Sequence, residues 1–214
     1  TASDNIKKQE GSYTDLYFNY GLDYDRRDKS FNTKEGFVTS FSQELPVVSK
    51  NNEISNILIF TKYKELNKSS EMVGKASVFL KAINTIDGSD VRISKRGNVP
   101  YGRLRGFEKG KVGPIDNNDY IGGNYISTLN LSTNIPGILS TIEILDFNYF
   151  IDIANIWGVD YDSSLDNSKI RSSTGIGLNV LTPIGPLSFS LSQPITKASS
   201  DKTESFRFNL GTTF

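Results

Sequence analysis

The sequence predicts an all-β fold, an antiparallel transmembrane β-barrel sheet, and three observations carry that prediction. Apolar side chains recur at every second position through about nine segments, each near the 9–11 residues with which a tilted strand crosses a bilayer. The links between segments alternate between short turns and longer polar loops. The last segment ends on an aromatic residue, Phe214.

Taken in order, the first strand sets Leu16, Phe18, Tyr20, Leu22 and Tyr24 on one face and Tyr17, Asn19, Gly21, Asp23 and Asp25 on the other. In the second, Phe37, Thr39, Phe41 and Leu45 alternate with Val38, Ser40, Ser42 and Glu44. Strands are expected over 54–63 and 72–83, the latter opposing Gly74, Ala76, Val78 and Leu80 to Lys75, Ser77 and Lys81. A fifth runs near 125–133. The sixth points Leu145, Phe147, Tyr149, Ile151 and Ile153 outward and Asp146, Asn148, Phe150 and Asp152 inward. A seventh spans 170–181, and the eighth sets Leu187, Phe189 and Leu191 against Ser188, Ser190 and Ser192. The terminal strand, 204–214, places Phe206, Phe208, Leu210, Thr212 and Phe214 outward and Arg207, Asn209, Gly211 and Thr213 inward.

The links 46–52, 134–138 and 183–186 are short and rich in Pro, Gly and Asn, as periplasmic turns are. Those at 160–169, 196–203 and above all 84–121 are longer and polar, as outer loops are. Alternation alone also describes a soluble sandwich or a lipocalin-like barrel, with the apolar face turned inward. Loop asymmetry and the aromatic terminus favour the membrane. An odd number of antiparallel strands would leave the first and last parallel, so the even closure of a bacterial barrel is not expected without further strands. The chain begins at Thr1 with no signal segment and reads as part of a longer protein.

Composition bounds the chemistry. Lys and Arg total 24, as do Asp and Glu, so no net charge points to nucleic acid. Hydrophobic residues make up 36% and mean hydropathy is −0.35. Those values resemble a soluble chain, yet a barrel strand needs only its lipid-facing half apolar. The aromatic load, 13 Phe and 10 Tyr beside a single Trp, suits strands and membrane interfaces. No run approaches the roughly 20 apolar residues of a spanning helix. Cys and His are both absent, which removes disulfides, thiol nucleophiles, Ser-His-Asp triads and His-ligated zinc. No catalytic, cofactor-binding or metal-ligating residues are expected, and no enzyme class.

The long link contains Leu104-Arg105-Gly106-Phe107. Downstream follow Gly122-Gly123-Asn124, then Phe150-Ile151-Asp152-Ile153-Ala154, then 183–187, then Ser192-Gln193-Pro194, then Leu210-Gly211-Thr212-Thr213-Phe214. In that order these stretches resemble the barrel of the BamA family of bacterial surface antigens, whose VRGF motif the first one matches with Leu for Val. The stretch from Tyr24 through Gly36 resembles a family strand and turn more weakly.

The resemblance implies that residues 1–214 are the carboxyl-terminal part of one outer-membrane barrel domain of about sixteen strands. Its first strands and periplasmic POTRA domains would lie outside this chain. The segment 84–121 would fold into the lumen, where the family holds its loop arginine on an aspartate. Carried over, Arg105 pairs with Asp152 beside Phe150, with Gly106 and Phe107 completing the lock. Alternation independently turns Asp152 and Phe150 inward, and a carboxylate there can take a guanidinium bidentately. Ala154 stands where the family has Gly.

The terminal strand, through Phe206, Phe208, Leu210, Gly211 and Phe214, would form one side of a lateral gate. Unpaired backbone groups there can hydrogen-bond an incoming strand. The implied function is assembly and insertion of β-barrel proteins into the outer membrane, by strand templating and membrane thinning. Implied partners are outer-membrane lipids, unfolded barrel substrates and assembly lipoproteins reached through the POTRA domains. A TamA-like or two-partner secretion relative shares the loop motif and stays open, as does a passive porin.

Overall fold

The computed structural model describes residues 2–30, 32–135, 145–166, 168–182 and 185–210. Gly211 and Phe214 of the expected terminal strand lie outside the described residues. Among those described, nine strands form one antiparallel sheet, and no helix is long and apolar enough to cross a membrane. In chain order the strands are β1 (Leu16–Asp25), β2 (Gly36–Val48), β3 (Glu53–Asn67), β4 (Met72–Thr85), the two-residue pair β5 (Ile115–Asp116) and β6 (Asp119–Tyr120), β7 (Tyr125–Asn134), β8 (Leu145–Trp157), β9 (Arg171–Thr182), β10 (Gly185–Thr196) and β11 (Phe206–Leu210). The sheet order is β1-β2-β3-β4-β7-β8-β9-β10-β11, so sequence neighbours pair throughout and only the β5–β6 hairpin stands apart.

Register fixes the two faces, because directly opposed residues share one. Leu22 lies opposite Phe41, Phe41 opposite Leu58, and Leu58 opposite Leu80. Across the other half, Leu131 faces Ile151, Tyr149 faces Ile176, Ile176 faces Leu191, and Leu191 faces Phe206. All of these side chains but the half-buried Phe41 and Ile151 remain exposed in the isolated chain, Leu22 by 65% and Leu191 by 55%, which only an apolar solvent makes sense of. The alternate residues form the covered face. There Phe150, Asp152, Arg171 and Ser173 have no accessible surface.

Arg171 pairs with Asp201, and Phe150, Asp152 and Ser173 are covered by the segment between β4 and β7, which returns across the sheet carrying β5 and β6. Its Leu104, Phe107 and Val112 pack with Phe79, Ile126, Ala154 and Ile156 into the buried apolar cluster. Next to it the gap between Val99, Tyr101, Leu104, Phe107 and Arg207 is about 20 Å³, room for one water. The segment therefore fills this part of the face.

Two expectations need correction. The link 46–52 was expected at the short-turn end. Pro46 to Val48 instead continue β2, and the turn after them meets the long segment, with Asn51 donating to the Asp90 carbonyl and Asn52 to Asp87. Strand direction decides this: links alternate ends, and proline and asparagine suit a turn at either. The terminal strand was expected from Glu204, but strand pairing begins at Phe206. Glu204 is taken up by a different partner, described below. The helix Asp4–Lys8, capped by Ser3, was also not expected; five residues are too few to show a helical period.

Candidate functional site

Asp152 sits at the middle of β8 on the covered face, and it is saturated by the loop. Arg105 donates from Nε to Oδ2 at 2.7 Å and from Nη2 to Oδ1 at 2.8 Å, and its backbone N–H adds a third bond at 3.0 Å. Asn130 on β7 supplies a fourth from Nδ2 at 2.8 Å. The guanidinium carbon lies 3.3 Å from the centre of the Phe150 ring, so the cation is held by a bidentate carboxylate on its edge and an aromatic face beneath. Phe150 and Asp152 are two apart on one strand, which is why one guanidinium can reach both.

The rest of the tetrapeptide is fixed from the neighbouring strands. Ser173 on β9 donates its hydroxyl to the Arg105 carbonyl. Gly106 has φ +89°, and a Cβ there would approach Ser173 Cβ to 3.2 Å, so both the turn and the close approach ask for glycine. Leu104 and Phe107 enter the apolar cluster on either side.

Other residues of the lock carried no signal in the sequence. Arg103 lies over the Phe79 ring and reaches Ser77 and Asn130. Asn130 returns a bond to the Arg103 carbonyl at 2.8 Å, so this one amide joins Arg103 to Asp152, the partner of Arg105. Burial lowers the Arg103 guanidinium from its ordinary pKa, opposed by the charge of Asp152. Gly175, opposite Phe150, leaves room for the ring: a Cβ would meet the Leu191 carbonyl at 2.1 Å and Phe150 Cζ at 2.7 Å.

The same loop also grips the chain entering β11. Phe107 and Thr203 form an isolated antiparallel bridge. Around it Glu204 N–H donates to the Gly106 carbonyl at 3.2 Å, Glu108 N–H to Lys202 at 3.0 Å, and Lys202 N–H to Lys111 at 3.1 Å. From β11 itself Arg207 donates to the Phe107 carbonyl and to Glu204, and it lies 4.7 Å from the Tyr101 ring centre. Tyr101 in turn donates to the Phe208 carbonyl at 3.3 Å. The motif and the terminal strand, expected as two separate features, are thus hydrogen-bonded to each other. Phe206, Phe208 and Leu210 point away, into the outward face.

Three further ion pairs pin the base of the segment. Arg92 meets Glu53 and Asp15, and Arg96 meets Asp160. The hydrogen bond to Glu53 raises the Arg92 guanidinium above its ordinary pKa against the opposing effect of burial. No cluster of metal-ligating side chains occurs among the described residues.

Fold and site together define a sheet of the outer-membrane β-barrel class, apolar outside and closed over inside by a loop bonded to β8, β9 and the approach of β11. A family model, the Omp85 superfamily domain, matches residues 1–214, and the chain belongs to that superfamily. Its place is the bacterial outer membrane.

Among curated proteins it is similar to the outer membrane protein assembly factor BamA of Neisseria meningitidis serogroup B, 28% identical over 142 residues. That alignment takes in 53% of this chain and 18% of the relative. BamA of Neorickettsia risticii is 24% identical over 142 residues, 64% of this chain and 19% of the relative. The crystal structure of BamA from Haemophilus ducreyi lacking POTRA domains 1-3 superposes with a TM-score of 0.83 at 26% identity. It covers 92% of this chain and 42% of that one. The chain thus spans less than a fifth of the curated relatives and under half of the solved one.

Proposed function

We propose that the protein to which this chain belongs assembles β-barrel proteins and inserts them into the outer membrane. The observation that carries this reading is the double attachment of the Leu104-Arg105-Gly106-Phe107 turn, to Asp152 on β8 and to the root of β11. A porin loop has no need to grip a terminal strand. A machine that must hold that strand in place while its free edge is offered to a substrate does.

On this reading the segment 84–121 is a strut within the lumen of a larger barrel. Strand β11 is one side of a lateral gate. Its outer edge offers N–H and C=O groups to an incoming strand by β-augmentation, while the short span of the gate thins the bilayer beside it. No bond is made or broken. The gain is kinetic, since an unpaired substrate strand meets partners before it meets lipid. Substrates are unfolded outer-membrane barrels, and assembly lipoproteins act through POTRA domains outside this chain.

The test uses the complete protein in liposomes with an unfolded barrel substrate. Arg105→Ala and Asp152→Ala should each slow insertion and expose the 101–108 turn to protease; normal behaviour in both assays overturns the strut. A photo-crosslinking residue at Leu210 should capture substrate during insertion, and its failure to do so overturns the gate.

A further inference from the structure

At every described position but two, the outward face of the nine strands is uncharged. The exceptions are Lys62 and Lys64, both on β3 and both exposed. Neither forms an ion pair with a described carboxylate. A cation facing lipid is costly within the hydrocarbon and tolerated where its stem can lie along apolar surface while the amine reaches the headgroups. The strand places them accordingly. β3 runs from the end bearing the long segment to the turn at 68–71, and Lys64 lies beyond Tyr63, its last residue paired with β2. That is the short-turn end, the periplasmic side of an outer-membrane barrel.

Beside the lysines the surface is hollow. Opposite Lys62 and Lys64 on β4 stand Ala76 and Gly74; Leu66 packs on the glycine, and the methyl of Ala76 is too small to cover the sheet. Leu66, Leu131, Tyr149 and Ile151 rise around them, leaving a groove of about 370 Å³. This size falls in the range of about 300–1,000 Å³ typical of small-molecule sites. Its walls are overwhelmingly apolar, and its charged rim carries one sign only.

We propose that this groove is a binding site for an anionic phospholipid, one acyl chain lying over Ala76 between Leu66 and Leu131 and the phosphate held by Lys62 and Lys64. A membrane-facing slot is filled by lipid whatever its lining. The paired lysines decide which lipid, because a zwitterionic headgroup brings a cation of its own to two that are already there. The slot then decides the pose, since a flat strand surface offers an acyl chain no walls. The site depends on the membrane location alone, and would stand if the assembly function did not.

Lipid retention by the complete protein in detergent, read by native mass spectrometry after titration with phosphatidylglycerol or phosphatidylcholine, tests this. The unaltered protein should retain phosphatidylglycerol preferentially. Lys62→Gln combined with Lys64→Gln should weaken that retention roughly tenfold to thirtyfold, as expected for two interfacial cations, with phosphatidylcholine unaffected. Ala76→Leu fills the slot and leaves the charges, and it should also weaken retention. Heat-modifiable mobility confirms that each variant is folded. Equal retention of both lipids by the unaltered protein overturns the proposal, as does undiminished phosphatidylglycerol in the lysine variant. Undiminished phosphatidylglycerol in Ala76→Leu overturns the acyl seat.

Discussion

Asp152 and Arg105 are partners with unequal surroundings, and the inequality decides which loss is worse. The Asp152 side chain has no accessible surface, whereas that of Arg105 keeps 19% of its own. Removing Asp152 leaves a guanidinium that can turn toward water and still lie on Phe150. Removing Arg105 leaves a buried carboxylate with Asn130 and one backbone N–H. Stripping a buried charge of its counter-ion costs about 3–5 kcal/mol, against about 1–3 kcal/mol for an unsatisfied group that solvent can partly reach. Arg105→Ala should therefore destabilise the folded barrel more than Asp152→Ala, and Asp152→Asn in the Arg105→Ala background should recover much of the difference. Denaturant midpoints of the complete protein in detergent measure this. The reverse order would mean that the carboxylate is wetter than its geometry implies.

At the scale of elements, the loop-to-β11 ladder is short, and one side chain spans it. Arg207 is buried, donates to the Phe107 carbonyl, pairs with Glu204 and lies against Tyr101. A charge-assisted bond of this kind is worth about 1.5–3 kcal/mol, so Arg207→Ala should speed hydrogen exchange at the Glu204 and Glu108 amides by roughly tenfold to a hundredfold. The Arg105 amide, held by Asp152, should keep its protection. Equal acceleration at all three amides would mean that the segment moves as one body.

Which parts of this were legible beforehand follows from how far each signal travels along the chain. The outward rows were readable because period two is local: Leu16 to Tyr24 or Leu145 to Ile153 declare a face without reference to any neighbour. Register is not local. Asn130 and Ser173 became ligands of the loop only once β7, β8 and β9 were aligned, and Gly175 looks like any strand glycine until Phe150 is placed opposite. The link 46–52 goes to the wrong end for the same reason, since only a count of strand directions assigns it. The pairing of Arg105 with Asp152 came from likeness to a family, with alternation supplying only the facing direction of the aspartate.

At the scale of the whole molecule, the apolar rows must match a bilayer in height. On β8 the outward run from Leu145 to Trp157 covers about 40 Å at roughly 3.3 Å per residue, or about 30 Å once tilted, close to the hydrocarbon thickness. Trp157, the single tryptophan of the sequence, ends that run at the long-loop end, stacked on Tyr125 at 5.7 Å. An indole there belongs to the outer aromatic belt, while Lys62 and Lys64 sit toward the opposite interface. In the complete protein, with tryptophans outside this chain replaced by phenylalanine, Trp157 fluorescence should be quenched more by lipids labelled near the headgroup than by lipids labelled at the acyl terminus. Stronger quenching from the acyl terminus would place β8 several residues deeper. It would carry the lysine pair out of the headgroup region on the other side, because both are rigidly registered to the same sheet.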